Sequence, residues 1–167
     1  MTKQSLSGWE RRYHSIAFWW ATGFGAGLLR PAPGTWGSLL GLALGYIILQ
    51  QPNAAWILAF GALVITIVSV FAIGAIEGAT GVHDAPEIVI DEIAGQWLAL
   101  LPLGFIAYGW IDLLLGFLLF RLFDILKPWP IGPLDRKISG GFGVMVDDLV
   151  AGLIAALILA FLMINLH

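Results

Sequence analysis

The sequence predicts an all-α fold: a polytopic membrane helical bundle of about five membrane segments, with an N-terminal interfacial or re-entrant segment ahead of it. Composition is the first reason. Of 167 residues, 59% are hydrophobic and 11% charged, against roughly 25% charged in an ordinary soluble domain, and mean hydropathy is +0.91. The second reason is residues 54–76, a run of 23 residues without a charge, long enough to cross a bilayer core that needs about 20. The third is that the other apolar runs are divided by Pro- and Gly-containing turns into pieces of single-helix length.

The chain's length suits one compact bundle. It divides into a polar or interfacial segment, residues 1–23, and a membrane domain, residues 24–167. Residues 1–15 are polar and basic, and no small-residue cleavage site follows them, so they read as part of the mature protein. Residues 16–29 are apolar but short and interrupted by Gly23, Gly25 and Gly27, which fits an interfacial or re-entrant segment better than a span. Trp19 and Trp20 suit the headgroup level.

In LRPAPGTWGS, Pro33 and Thr35 read as a helix start, and the helix runs over about residues 36–49. After QQPN comes the long uncharged helix of residues 54–76. Residues 77–87 read as a polar loop, with Pro86 at a first helical position and Asp91 and Glu92 inside the first turns of the next helix, which Pro102 and Gly104 end. Residues 111–126 form another helix, closed by Pro128, because the residue before a proline is pushed out of the α region. A loop to Asp147 and a final apolar helix, residues 149–166, complete the chain.

With an N-terminus in the cytoplasm and five crossings, all eight basic residues fall on the cytoplasmic side: Lys3, Arg11, Arg12, Arg30, Arg121, Lys127, Arg136 and Lys137. The outer loops near Gln50 and Trp110 hold none, as the positive-inside rule expects. The same orientation gathers Thr35, His83, Asp91, Glu92, Asp124, Asp147 and Asp148 at one membrane face, from four helices.

Carboxylates near a bilayer core cost at least a few kcal/mol each unless partnered. Asp91 with Glu92, and Asp147 with Asp148, are neighbours about 100° apart on a helix and can offer oxygens to a wedge between helices. Hard oxygen ligands favour Mg²⁺ over zinc or copper, making Asp91, Glu92, Asp147 and Asp148 the candidate metal set. The competing reading is helix capping by Asp147 or Asp148. It fits Asp124 poorly, since that residue lies near a helix C-terminus.

Arg121 and Asp124 share a helix face, with Lys127 at the helix end. They read either as an intrahelical ion pair with a snorkelling lysine, or as phosphate ligands, Arg121 and Lys127, beside a metal. The start of the PAPGTWGS helix, with the Thr35 and Ser38 hydroxyls, would aim free N–H groups at the same place. Gly140, Gly141 and Gly143 would let the backbone approach a ligand, or form a flexible loop. His83 reads as a polar loop residue or as a catalytic candidate.

A net charge of −3, with its basic residues in two clusters rather than along one face, argues against a nucleic-acid partner. Without cysteine there is no disulfide framework, thiolate nucleophile or Cys-based metal site.

The blocks PAPGTWGS, GVHD, IVIDEIAGQW, FRLFDILKPWPI and GGFGVMVDDLVAG occur in order, and over residues 24–155 the chain resembles the phosphatidylglycerophosphatase A family. The resemblance implies an all-helical, Mg²⁺-dependent phosphatase of the bacterial cytoplasmic membrane that hydrolyses phosphatidylglycerophosphate to phosphatidylglycerol and inorganic phosphate. Asp91, Asp124 and His83 are then the catalytic candidates. Metal-activated water is the first mechanism and an aspartyl-phosphate on Asp91 or Asp124 the second. From other classes, a small carboxylate-lined ion carrier or a non-catalytic lipid-binding subunit would also use such residues. Confinement of the charges to one face, with no acidic residue within residues 54–76, argues against an ion path.

Overall fold

The computed structural model describes residues 4–166, with the side chains of Asp135, Arg136, Lys137 and Leu166 outside the description. Lys3, and the side chains of Arg136 and Lys137 that entered the charge pattern above, therefore lie outside the described residues. Among those described there are seven α-helices and no strand: α1 (Ile16–Ala21), α2 (Pro33–Leu49), α3 (Ala54–Thr80), α4 (Ile90–Ala99), α5 (Trp110–Leu126), α6 (Ile131–Lys137) and α7 (Gly140–Leu166).

The bundle is built around α4, which packs against α2, α3, α5 and α7. Seven of its ten residues are buried, as expected of a helix enclosed on all sides. Close backbone approach makes this possible. A Cβ on Gly152 of α7 would sit 2.2 Å from the Gly95 carbonyl oxygen of α4, so those two helices meet backbone to backbone.

Among the described residues, only α3, with 27 residues, and α7, with 26 over Gly140–Asn165, are long and apolar enough to cross a membrane. The five-segment expectation is therefore not matched by helix lengths. Helices α2 and α5 have 17 residues each, and α4 has ten, with Pro102 two residues beyond its C-cap, Leu100, to prevent its continuing. Trp56, Phe60, Val64, Ile67 and Phe71 form an exposed apolar stripe at helical spacing along α3.

Helix α1 is short. Ser15 caps it by accepting from the Phe18 N–H at 3.3 Å, and Trp20 Nε1 donates to Ser69 Oγ at 2.9 Å, fastening it to α3. Left-handed Gly23, Phe24 and Gly25 end it, in keeping with a segment too interrupted to span.

Three boundaries differ from expectation. Helix α3 continues through Glu77 to Thr80, because nothing breaks it before Gly81, whose left-handed backbone closes it with an N–H to Glu77 O bond of 2.7 Å. Helix α4 starts at Ile90, not at Pro86, because the strand of backbone before it bonds elsewhere: the Val89 N–H donates to Ala21 O at 2.9 Å. Helix α7 starts at Gly140, nine residues before the expected residue 149. Asp147 and Asp148 consequently lie about two turns inside α7, where they cannot cap its first turn. The expected open loop before Asp147 instead contains α6.

Candidate active site

The cleft forms where the N-termini of α2 and α4 and the C-terminal part of α5 converge. It has a volume of about 250 Å³. Pro33, Gly34 and Thr35 line it from α2, Asp91 and Glu92 from α4, Arg121 and Asp124 from α5, and Asp84, Pro86 and Ile88 from the loop before α4.

Asp91, Glu92 and Asp148 each offer a carboxylate oxygen, and these oxygens lie within 4.8 Å of one another. Ligands on opposite sides of one Mg²⁺ are separated by about 4.2 Å, so small side-chain adjustments suffice for a shared ion. Asp91 Oδ1, Glu92 Oε2 and Asp148 Oδ2 are buried and have no hydrogen-bond partner among the described residues. Three carboxylates facing one another, Asp91 and Asp148 buried and Glu92 half-buried, repel, and the low dielectric around them removes the solvation that would screen them. A divalent cation satisfies both the charge and the orphaned oxygens, and an all-oxygen donor set is the type Mg²⁺ takes. The residues present fit the ion.

The site is held from both sides. A Cβ on Gly34 would lie 2.3 Å from Glu92 Oε1 and 3.5 Å from Arg121 Nη1, so the first turn of α2 touches the carboxylate face of α4 through a residue with no side chain. Arg121 Nη1 donates to Asp124 Oδ2 within α5 and to Ser38 Oγ of α2 at 3.1 Å. Ser38 Oγ in turn donates to Gly34 O at 2.9 Å. Arg121 Nε is buried without a partner among the described residues, leaving part of the guanidinium fork for an anion. Asp124 also faces Asp148.

The structure thus brings together Asp91, Glu92, Asp148, Asp124, Arg121, Thr35 and Ser38 from the sequence-derived set. Three others, Asp147, Lys127 and His83, sit differently. Asp147, one residue from Asp148, turns about 100° away and pairs with Lys127, outside the three-carboxylate group. That pair occupies both a candidate metal ligand and a candidate phosphate ligand. His83 is 42% exposed on its side chain, its Nδ1 is 3.2 Å from Glu77 Oε1, and it is not among the residues lining the cleft. The extension of α3 through Glu77 explains this, because it supplies the histidine with a partner away from the site. Gly141 and Gly143 meet backbone rather than ligand: added Cβ atoms would lie 2.3 Å from Val70 O and 2.2 Å from Ile138 O.

Sequence reasoning missed Gly34, Glu87 and Gln96. Gln96 lies one helical turn beyond Glu92, is 0% exposed, and has neither amide atom partnered among the described residues. A further polar residue one turn beyond the acidic pair, within the apolar remainder of α4, is the available signal.

A family model described as phosphatidylglycerophosphatase A matches residues 19–163. A phosphatidylglycerophosphatase A of Haemophilus influenzae is 43% identical over 138 residues, covering 83% of each chain. A phosphatidylglycerophosphatase A of Escherichia coli is 40% identical over 143 residues, covering 85% of this chain and 80% of that one. No solved structure matches.

Proposed function

Because the chain belongs to the phosphatidylglycerophosphatase A family, and so is a phosphoric monoester hydrolase, we propose that it hydrolyses phosphatidylglycerophosphate to phosphatidylglycerol and inorganic phosphate, with Mg²⁺ held by Asp91, Glu92 and Asp148. The observation that carries this is a cleft lined by Asp91, Glu92 and the Arg121 fork, with Asp148 completing a group of three carboxylates whose oxygens lie within 4.8 Å of one another and include orphaned atoms.

Bound there, Mg²⁺ supplies positive charge against the phosphoryl oxygens and acidifies water. The chain's own residues do the rest. Arg121, oriented by Asp124 and Ser38, takes phosphoryl oxygens with its remaining N–H groups. Thr35 and the first N–H groups of α2 add neutral donors at a helix N-terminus. Asp124 is the group in the cleft placed to accept the proton of the attacking water. As the water oxygen bonds to phosphorus and the bond to the glycerol oxygen breaks, the leaving alkoxide takes a proton from the open mouth of the cleft. Lys127, engaged by Asp147, braces α5 against α7.

The cleft faces the cytoplasm of a bacterial inner membrane in this reading, with the chain crossing several times and α3 and α7 as its full-length spans. Arg30 lies just ahead of α2, and Arg121 and Lys127 lie in the last turns and at the C-cap of α5, whereas residues 31–120 contain no lysine or arginine. The exposed stripe on α3 would meet acyl chains.

Phosphate release from phosphatidylglycerophosphate in detergent, with Mg²⁺ and then with excess EDTA, tests the proposal. Release that stops with EDTA and returns with Mg²⁺ is expected. Release unchanged by EDTA would remove the metal, and no release from the lipid would remove the substrate.

A further inference from the structure

The family match begins at residue 19, yet residues ahead of it reach the cleft's wall. Leu6 is 1% exposed and shares a core cluster with Phe18, Ile73, Ile76, Ala85 and Ile88. At the polar centre of this contact is Glu87, itself 4% exposed. Its Oε1 accepts from the Ser5 hydroxyl, its Oε2 from the Leu6 N–H at 3.1 Å, and Arg30 Nη2 lies 3.4 Å from Oε1. These bonds join positions 81 and 82 residues apart in the chain.

The backbone of the same residue is gripped from the other side. A Cβ on Gly27 would stand 2.0 Å from Glu87 O, and two residues later Val89 donates to Ala21 O. Asp84, Pro86 and Ile88, interleaved with these anchor points, line the cleft.

We propose that Glu87 is a positioning residue through which Ser5 and Leu6 of the N-terminal segment hold the loop of residues 84–88 as one wall of the catalytic cleft, and that this sets how tightly the phosphorylated headgroup binds. The proposal rests on the reading of the cleft as the phosphatase site. The three grouped carboxylates stand on α4 and α7, helices that pack directly against each other and do not include Glu87, so in this proposal the wall governs substrate affinity rather than the chemical step.

The charged acceptor satisfies two donors and an arginine, and each such bond is worth roughly a factor of three to ten in an equilibrium. In the full-length protein, Glu87→Ala is expected to raise KM about tenfold, with kcat and the Mg²⁺ half-activation concentration within about twofold of wild type. Glu87→Gln, which keeps one acceptor, and Ser5→Ala, which removes one donor, are each expected to raise KM about threefold. Amide exchange over residues 84–89 should accelerate in the same order, a readout independent of substrate.

Unchanged exchange in Glu87→Ala would overturn the clamp. Faster exchange with unchanged KM would overturn the positioning role, and a fall in kcat matched only by a smaller folded fraction would make Glu87 structural. Should Glu87→Ala fail to fold, Glu87→Gln and Ser5→Ala carry the same two readouts. A wild-type chain inert toward phosphatidylglycerophosphate counts against the substrate, while exchange in Ser5→Ala still decides the clamp.

Discussion

Glu92 Oε1 stands 2.3 Å from the point a methyl group on Gly34 would occupy. The obstructing atom is the far end of a flexible side chain, so Gly34→Ala can be accommodated by rotating Glu92, at a cost of about 1 kcal/mol for an off-rotamer side chain. That rotation takes the carboxylate away from Asp91 and Asp148. Gly34→Ala is therefore expected to lower phosphate release by about tenfold or more while leaving the melting temperature in detergent nearly unchanged. A silent variant would show that Glu92 Oε1 has no role at its observed position.

Gly152→Ala should behave in the opposite manner. Its new Cβ would meet the Gly95 backbone carbonyl at 2.2 Å, and backbone cannot rotate aside. Helices α4 and α7 must separate, at a cost of about 1–3 kcal/mol. A marked fall in melting temperature is the expected result, with activity falling alongside it because Asp148 moves with α7.

Arg121 and Lys127 are both expected to resist exchange, for different reasons. Arg121→Lys keeps the charge but cannot reach Ser38, Asp124 and a phosphate at once, so about a hundredfold loss of activity is expected with the fold retained. Lys127→Ala removes the cation facing the buried Asp147 carboxylate, and should lower thermal stability by about 3 kcal/mol. Thermal melts and phosphate release on the purified variants separate the two. A Lys127→Ala protein with wild-type stability would mean that Asp147 is held by other groups.

The helices most readable in the sequence were those whose apolar runs end at a proline or a polar turn, α3 and α5. The start of α7 was not readable, because Gly140, Gly141 and Gly143 weigh against a helix by intrinsic propensity. Tertiary contact reverses that weighting: Gly141 has no room for a side chain beside Val70 O. The carboxylate set was legible as adjacent pairs near helix ends, but not which member of a pair turns inward. Asp148 joins Asp91 and Glu92 whereas Asp147 meets Lys127, a choice made by the rotation of α7 against α4 and α5. Glu87 was illegible for a simpler reason. Its partners Ser5 and Leu6 carry no pattern linking them to residues more than 80 positions away.

Asp112 provides a control for charge removal. It is buried at the other end of α5, where its Oδ2 accepts the Gly109 N–H at 2.8 Å. Asparagine can accept the same bond, so Asp112→Asn is expected to keep phosphate release within about twofold of wild type and to cost at most about 1 kcal/mol of stability. A large loss of activity here would show that removing any buried carboxylate is enough to inactivate the protein.

Against that control, the decisive measurement is phosphate release from phosphatidylglycerophosphate across a Mg²⁺ titration, for wild type, Asp91→Asn and Asp148→Asn at matched folded concentration. Asparagine keeps the shape of each side chain and removes the charge that a Mg²⁺ site needs. Each variant is expected to fold, to lose about a hundredfold or more in rate at ordinary Mg²⁺, and to recover in part, if at all, only at about tenfold higher Mg²⁺. Near wild-type rates with an unshifted Mg²⁺ midpoint in both variants would contradict a metal held by Asp91, Glu92 and Asp148.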